Sequence, residues 1–154
     1  MNADLEKSVQ SDVEKSVQNF YDTFGWVDTA GVSGEDVLFR RFSPPYYLYH
    51  DGVNDRTLKC FSTLGGKLLM AGGGDLPETH VAIAKMFSAT TFLDISDRAL
   101  AIARKKFEGQ AEYICASILD IPKPEHYFDA AYCAHDGCGI QFVVVDVGQN
   151  WGRR

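Results

Sequence analysis

Two features of this sequence could do chemistry together: a glycine cluster and an acidic residue that follows it. Gly72, Gly73 and Gly74 end a short apolar run, and Asp94 ends the next one. A separation of about 20 residues is typical of sites that hold a nucleoside at the edge of a parallel sheet. Glycine lets a ligand approach the backbone, and a carboxylate can accept hydrogen bonds from both hydroxyls of a ribose. The pattern therefore predicts a nucleoside-type cofactor.

The residues after the glycines distinguish between two classes of such cofactors. A dinucleotide fold requires G-x-G-x-x-G, which places a pyrophosphate on the N-terminus of the next helix. Here Pro77 occupies the third glycine position, and Asp75 puts a negative charge where the phosphates would lie. A cofactor with a positive sulfonium and no phosphate would tolerate that acid. An NAD-dependent oxidoreductase is therefore the less favoured alternative.

The elements that would position these residues alternate between strand and helix from residue 67 onward. Apolar runs predict strands over 67–71, 90–93, 112–116 and 128–133. Helical periodicity predicts one helix over 75–87, with Asp75 as its N-cap, and another that Ser96 caps and Gly109 ends. Pro122 and Pro124 exclude a helix between the third and fourth strands. We therefore expect an α/β fold, a Rossmann-like parallel sheet in a three-layer α/β/α arrangement.

The N-terminal part is expected to form a helical cap on this sheet. Apolar residues at three- and four-residue steps from Leu5 to Phe20 predict an amphipathic helix over about 4–24, which we expect to pack on the domain and roof the site. A loop over 25–45, a packed aromatic segment over 46–50 and a helix over 54–64 should follow.

The C-terminal residues have a different character from the core. Gly137 and Gly139 disfavour a helix, and the apolar run Ile140–Val145 predicts a strand. The turn before it is too short for a parallel crossover, so the strand should pair antiparallel with the fourth strand or form an exposed edge that invites self-association. The expected organisation is a helical cap over 1–64, a cofactor-binding core over 65–135 and an atypical tail over 136–154.

Composition and charge exclude several other functions. The 154 residues fit one domain, and the net charge of −6 disfavours a general nucleic-acid surface, which needs clustered lysines and arginines. The longest apolar runs hold only a few residues, so we expect no membrane span. The N-terminal residues do not resemble a secretory signal.

The cysteines indicate a reducing environment. Cys60, Cys115, Cys133 and Cys138 are scattered through a sequence without an export signal, so we expect free thiols and a cytoplasmic location. His135 lies between the last two cysteines. A fourth metal ligand is not evident, however, and the spacing matches no common zinc pattern, so we expect no metal site.

Three stretches, in this order and spacing, carry a family resemblance. They are LLMAGGG over 68–74, FLDIS over 92–96, and ASILDIP over 116–122 leading to YFDAAYC over 127–133. Together they resemble the class I S-adenosylmethionine-dependent methyltransferases. The resemblance implies S-adenosylmethionine as the cofactor and methyl transfer to an unidentified, small-molecule acceptor. It ends after His135, so we expect the C-terminal part of that fold to be incomplete.

The resemblance also assigns roles to individual positions. Gly72 and Gly74 would pass close to the methionine part of the cofactor, and Asp94 would bind the ribose hydroxyls. Positions 133–135 would face the methyl group and the substrate. The adenine would lie against Ile95 and near Ser117 and Ile118. The full set of expected cofactor-binding residues is Ala71, Gly72, Gly73, Gly74, Asp94, Ile95, Ser117, Ile118 and Cys133.

Two departures from the family pattern support an alternative function. Met70 and Ser117 stand where the family usually or often has an acid, and each change removes a charge that would help to hold the cofactor. Because the later strands of the family fold are also missing, a catalytically inactive methyltransferase-like domain, used for binding or interaction, is the main alternative. No catalytic residue is assigned, because methyl transfer requires mainly alignment and exclusion of water. His80 and His126 are expected on the surface, and the roles of Tyr46, Tyr47, His50 and His135 stay open.

Overall fold

A computed structural model describes residues 3–25, 44–74, 76–135 and 140–145. In these ranges a long N-terminal helix, continued by a π-helical turn, and a second helix precede alternating strands and helices. The elements are α1 (Ala3–Phe20) with the π-helical turn (Tyr21–Gly25), α2 (Pro44–Phe61), β1 (Lys67–Ala71), α3 (Glu78–Ala84), β2 (Ala89–Asp94), α4 (Asp97–Lys106), β3 (Ala111–Cys115), β4 (Ala130–His135) and β5 (Ile140–Val145).

The strands form one sheet in the order β3-β2-β1-β4-β5. β1 pairs in parallel with both β2 and β4, and β2 pairs in parallel with β3. β5 pairs antiparallel with β4, as the short turn before it predicted. The strands β2 and β3 therefore extend from one side of β1, and β4 and β5 extend from its other side. The carboxyl ends of β1 to β4 share one edge. This is the expected Rossmann-like α/β fold, and that edge is where such sheets bind ligands.

One face of the sheet is covered by three helices. Phe61 of α2, Ile83 of α3 and Leu100 of α4 are all at most 2% exposed and belong to a single apolar cluster with the sheet. The strand residues of that cluster alternate along each strand, as the two-residue period of a strand requires. They are Leu68, Met70, Phe92, Ala130 and Tyr132.

The opposite face is covered by the connection between β3 and β4. Leu69 and Leu93 point to this side and pack with Phe128, while Ile118 and Ile121 of the connection pack against them. No residue of the connection, which the structure describes in full, is helical. The two prolines thus have the effect that the sequence predicted.

The boundaries of α2, α3 and β4 are among those that differ from the predictions. α2 begins at Pro44, so the residues over 46–50 belong to one long helix rather than to a separate segment; proline is well accommodated in a first helical turn. α3 begins only at Glu78, because Leu76 has a left-handed backbone with φ +52° and Pro77 is extended. The predicted strand over 128–133 is displaced by two residues and forms β4. Asp75, the predicted cap, lies outside the described residues.

Helix α1 forms as predicted but turns an unexpected face to the domain. Val9, Val13, Val17 and Phe20 are 40–56% exposed, so the apolar stripe is not buried. The half-buried residues of the described part of this helix are instead Glu14 and Gln18. The expectation that the helix packs through its apolar face is therefore wrong. Polar groups at the candidate site contact the helix instead.

Several expectations concern residues outside the described part of the chain. These are most of the loop over 25–45, the glycines at 137 and 139, Cys138 and the tail after 145; the side chains of Tyr46, Tyr47, His50 and His135 are also outside it. None of the helices within the described ranges is both long enough and apolar enough to cross a membrane.

Candidate functional site

The glycine cluster forms a tight turn at the carboxyl end of β1. The Gly72 N–H donates to the Leu93 carbonyl at 2.9 Å, and the Leu76 N–H donates to the Gly73 carbonyl at the same distance. Gly72 and Gly74 have φ values of +65° and +52°, a conformation that side chains with a Cβ rarely adopt. A Cβ on Gly72 would meet no atom within 4 Å, so the backbone is open to a ligand there.

Asp94 ends β2 and contacts this turn directly. Its Oδ2 accepts from the Gly74 N–H at 3.4 Å, and its Oδ1 accepts from the Ser96 N–H at 2.9 Å. Asp94 as a whole is only 8% exposed. Because each carboxylate oxygen has two lone pairs, both retain capacity to accept further hydrogen bonds. The two features that the sequence singled out thus meet at one point of the sheet edge.

Burial is the main influence on the Asp94 carboxyl. It raises the pKa of Asp94 above its ordinary value, and the nearby Asp22 carboxylate acts in the same direction. The backbone N–H groups of Ser96, Gly74 and Ile95 oppose this by stabilising the charged form. The site therefore holds a carboxylate that is costly to bury and is supported chiefly by backbone donors.

The end of α1 is attached to the N-terminus of α4 beside Asp94. The Ser96 hydroxyl accepts from the Ala99 N–H at 3.2 Å, which makes Ser96 the N-cap of α4 as predicted. The same hydroxyl donates to Asp22 Oδ1 at 2.5 Å. Arg98 Nη1 donates to the Asp22 carbonyl at 3.3 Å. Ser96 thus links the π-helical turn to the edge of the sheet.

A second polar contact attaches the middle of α1. The Ser117 hydroxyl, just beyond β3, donates to Glu14 Oε1 at 2.9 Å and accepts from the Leu119 N–H at 3.2 Å. The Ala116 N–H donates to the Asp94 carbonyl at 3.1 Å. The expected Ser117 position is therefore next to Asp94, and α1 lies across both.

The remaining predicted positions surround this edge. Ile95 is half-buried, and its carbonyl lies 3.5 Å from the Cys115 thiol. Ile118 packs against the cluster beneath the sheet rather than standing free. Cys133 lies in β4 opposite Ala71 of β1 and is half-buried. Within the described residues, His, Cys, Asp and Glu side chains nowhere form a group of three that could hold a metal ion.

Three residues in or near this site were not predicted from the sequence. Glu14 and Asp22 had no sequence signal as site residues, since acids on a helix surface are common. His80, expected on the surface, is 3% exposed and its Nε2 lies 3.2 Å from the Tyr132 hydroxyl. Its spacing of three and four residues from the buried Ile83 and Ala84 is a signal that could have revealed this.

A cavity elsewhere in the molecule does not belong to the site. It measures about 530 Å³ and is lined by Lys67, Ala89 and Ala111, which are the first residues of β1, β2 and β3. These amino ends lie at the edge of the sheet opposite Asp94.

Comparison with known protein families gives a match that includes this edge of the sheet. A family model described as a methyltransferase domain matches residues 70–149, a little more than half of the chain. The chain belongs to this methyltransferase-domain family. The matched region starts within β1 and includes the glycine turn, Asp94 and the residues after β3. None of the curated proteins matches the chain.

Two solved structures agree on the fold of the methyltransferase domain. Magnesium protoporphyrin IX methyltransferase from Synechocystis PCC 6803 matches in two structures with TM-scores of 0.53 and 0.52 at 14% and 13% identity. Both matches cover 78% of this chain, and they cover 57% and 60% of the Synechocystis chains. The YcgJ protein of Bacillus subtilis matches at 17% identity with a TM-score of 0.46, over 55% of this chain and 38% of its own. The methyltransferase domain thus spans less than two thirds of the length of these proteins.

Proposed function

We propose that this methyltransferase domain binds S-adenosylmethionine at the carboxyl edge of its sheet and supports methyl transfer to a small-molecule acceptor. The observation that carries the proposal is the hydrogen bond from the Gly74 N–H to Asp94. It joins the open glycine turn to a carboxylate that can accept hydrogen bonds from ribose hydroxyls. The family match supports it. So does the similar Synechocystis fold, which was crystallised with bound S-adenosylhomocysteine and S-adenosylmethionine.

The proposed binding residues follow from their places at this edge. Gly72 and Gly74, with Ala71 and Gly73 beside them, would hold the methionine part of the cofactor, and Asp94 would accept hydrogen bonds from the ribose hydroxyls. Ile95, Ser117 and Ile118 would border the adenine, and Cys133 on the neighbouring strand would lie towards the transferred methyl group.

The charge of the edge fits a sulfonium better than a pyrophosphate. Glu14, Asp22 and Asp94 bring three carboxyl groups to it through the contacts described above. Negative groups attract a cation and repel phosphates, and the attraction is stronger where water is partly excluded. This favours S-adenosylmethionine over NAD.

Methyl transfer requires little chemistry from individual side chains. S-adenosylmethionine supplies an electrophilic methyl group for an in-line displacement. The protein has to align the two reactants and exclude water. Helix α1, attached through Glu14 and Asp22, lies where it would roof the cofactor. A general base would be needed only for an acceptor that still carries its proton.

Calorimetric titration tests the proposal. Wild-type protein should bind S-adenosylmethionine and S-adenosylhomocysteine but not NAD. Asp94→Asn should weaken binding by roughly 10- to 100-fold, the usual value of hydrogen bonds to a charged group. Asp97→Asn is the matched control, since it removes the same charge from an exposed residue of α4 and should leave affinity within about twofold.

The Asp94→Asn variant should remain folded, which keeps the titration interpretable. Burial raises the pKa of Asp94, so its contribution to stability is fully present below the ordinary value of 3.8 and falls as the pH rises towards the folded-state pKa. At pH 7 the substitution removes a costly buried charge but replaces one acceptor oxygen by an NH2 group that faces the Gly74 or the Ser96 N–H. We therefore expect a loss of up to about 3 kcal/mol in the free energy of unfolding, and urea denaturation should show that the titrated variant is folded. Binding of NAD alone would indicate an oxidoreductase, and no binding at all would reject the proposed cofactor.

A non-catalytic binding domain is the second candidate function. It is favoured by Met70, which is 1% exposed and packs in the apolar cluster where the family resemblance leads us to expect an acid. Transfer of radiolabelled methyl groups to a panel of small hydroxyl, amine and thiol acceptors separates the two candidates. Turnover supports the enzyme, whereas cofactor binding without turnover on any acceptor supports the binding domain.

The proposal also covers the domain organisation, the cellular location and self-association. We propose the division into a helical cap over 1–64, a cofactor-binding core over 65–135 and a tail over 136–154. We also propose a cytoplasmic location, supported by the free thiols of Cys60, Cys115 and Cys133. Self-association through β5 is supported by its place at the end of the described sheet, and sedimentation velocity would detect it.

A further inference from the structure

A buried polar pair lies beneath the glycine turn. His80 in the first turn of α3 is 3% exposed, and Tyr132 of β4 is fully buried. The tyrosine hydroxyl lies 3.2 Å from His80 Nε2, and the two rings meet edge to face with centroids 5.0 Å apart. The pair spans from β4 to the start of α3, the element that directly follows the turn.

His80 is neutral at physiological pH. Burial lowers the pKa of His80 to about 4, against a smaller opposite effect of the Gly73 backbone. A neutral imidazole has one donor and one acceptor nitrogen. If Nε2 accepts from the Tyr132 hydroxyl, the proton lies on Nδ1. That atom is fully buried and has no hydrogen-bond partner within the described residues.

The glycine turn needs support from its surroundings. Besides its two left-handed glycines, it contains Leu76 with φ +52°. A bulky residue with such a backbone is strained, and the strain persists only where surrounding structure holds it. Leu76 is 1% exposed and packs in the same apolar cluster as Tyr132. The pair lies in the layer on which the strained turn rests.

We propose that His80 and Tyr132 are positioning residues that hold the glycine turn in the shape the cofactor requires. The hydroxyl of Tyr132 fixes the orientation of the His80 ring and with it the start of α3. The His80 N–H donates to the Pro77 carbonyl at 2.9 Å, and Pro77 directly follows Leu76, whose N–H donates to the Gly73 carbonyl. Through Gly74 this sets the distance between the turn and Asp94. The inference rests on the proposed cofactor site but concerns a different layer of the molecule.

Tyr132→Phe tests this with little change in packing. The ring keeps its edge-to-face contact with Phe61 and loses only the hydroxyl. Thr90→Val is the matched control, because it also removes one buried hydroxyl, which donates to the Ala84 carbonyl at the opposite end of α3. Tyr132→Phe should lose more stability than Thr90→Val, because it removes a partner of the buried His80 Nε2, whereas the Ala84 carbonyl still accepts from the Phe87 N–H at 3.3 Å. In each variant the exchange of the turn amides is therefore compared with that of the slowest core amides, which report the loss of global stability.

Amide hydrogen exchange of the cofactor-free protein is the decisive measurement. In Tyr132→Phe the amides of Gly72, Gly74 and Leu76 should exchange roughly fivefold faster, the equivalent of one neutral hydrogen bond. Thr90→Val should leave these three amides unchanged. Affinity for S-adenosylmethionine should fall by a similar factor in Tyr132→Phe alone.

Two results would overturn the positioning role. Equal acceleration in both variants would mean that Tyr132 contributes only to general stability, and no acceleration in Tyr132→Phe would mean that the pair does not hold the turn. If the wild type fails to bind S-adenosylmethionine, the proposed function fails, whereas hydrogen exchange still decides the role of the pair.

Discussion

Helices α1 and α4 are both amphipathic, yet they turn opposite faces to the domain. α4 buries Ala99, Leu100 and Ala103 and leaves its basic last turn in solvent. α1 leaves Val13 and Val17 in solvent and contacts the domain through polar groups. An apolar stripe therefore predicts that a helix forms but does not by itself decide which face is buried.

The difference follows from what each helix meets. α4 lies on the face of β2 and β3, where Phe92 and Tyr113 offer apolar surface. α1 lies across the carboxyl edge, where the nearest groups are the Ser96 and Ser117 hydroxyls. A buried hydroxyl needs a hydrogen-bond partner, and an acid on the helix provides it. The carboxyl edge thus selects the polar face of α1.

The largest expected effect comes from the apolar face of α4. Leu100→Ala should lower the free energy of unfolding by about 2–5 kcal/mol, because it leaves a cavity in the main cluster. Urea denaturation would measure this. A loss below about 1 kcal/mol would contradict the assignment of α4 as a core helix.

Ser96 should have an intermediate effect, because it serves both helices. Ser96→Ala removes the N-cap of α4 and the partner of Asp22, and should cost about 1–2 kcal/mol. Ser62→Ala is the control. It removes an exposed hydroxyl at the end of α2 and should change the unfolding free energy by no more than about 0.5 kcal/mol. Equal losses in the two variants would argue against the link between α1 and α4.

The smallest effect is expected on the apolar stripe of α1. Val13→Ser and Val17→Ser should each change the free energy of unfolding by less than about 0.5 kcal/mol, since both residues are 40% exposed or more. Thermal and urea denaturation would measure the change. A loss comparable to that of Leu100→Ala would show that the stripe is buried in solution and would remove the contrast between the two helices.

Much of the architecture could be predicted from local patterns. The strand at 67–71, the Ser96 cap, the absence of a helix before β4 and the antiparallel β5 all agree with the sequence-based expectations. Each depends on short-range chemistry: β-branched or apolar runs, a capping hydroxyl, prolines and a short turn. The meeting of the glycine cluster with Asp94 also followed from the sequence, because parallel strands bring their carboxyl ends to one edge.

The wrong predictions concern features that depend on contacts with distant parts of the chain. α3 starts late because Leu76, which is buried in the apolar cluster, takes a left-handed backbone. His80 is buried because β4, some fifty residues later, presents the Tyr132 hydroxyl to it.

The sequence by itself therefore determined the family, the order of the elements and the meeting of the glycine cluster with Asp94, since these depend on local propensity and on strand order. Only the tertiary structure decided that α1 turns its polar face inward, that Glu14 and Asp22 reach the site, and that His80 and Tyr132 lie beneath the glycine turn. The physical reason is that a polar group is buried only where a partner from another element satisfies it, and a local pattern does not contain that partner.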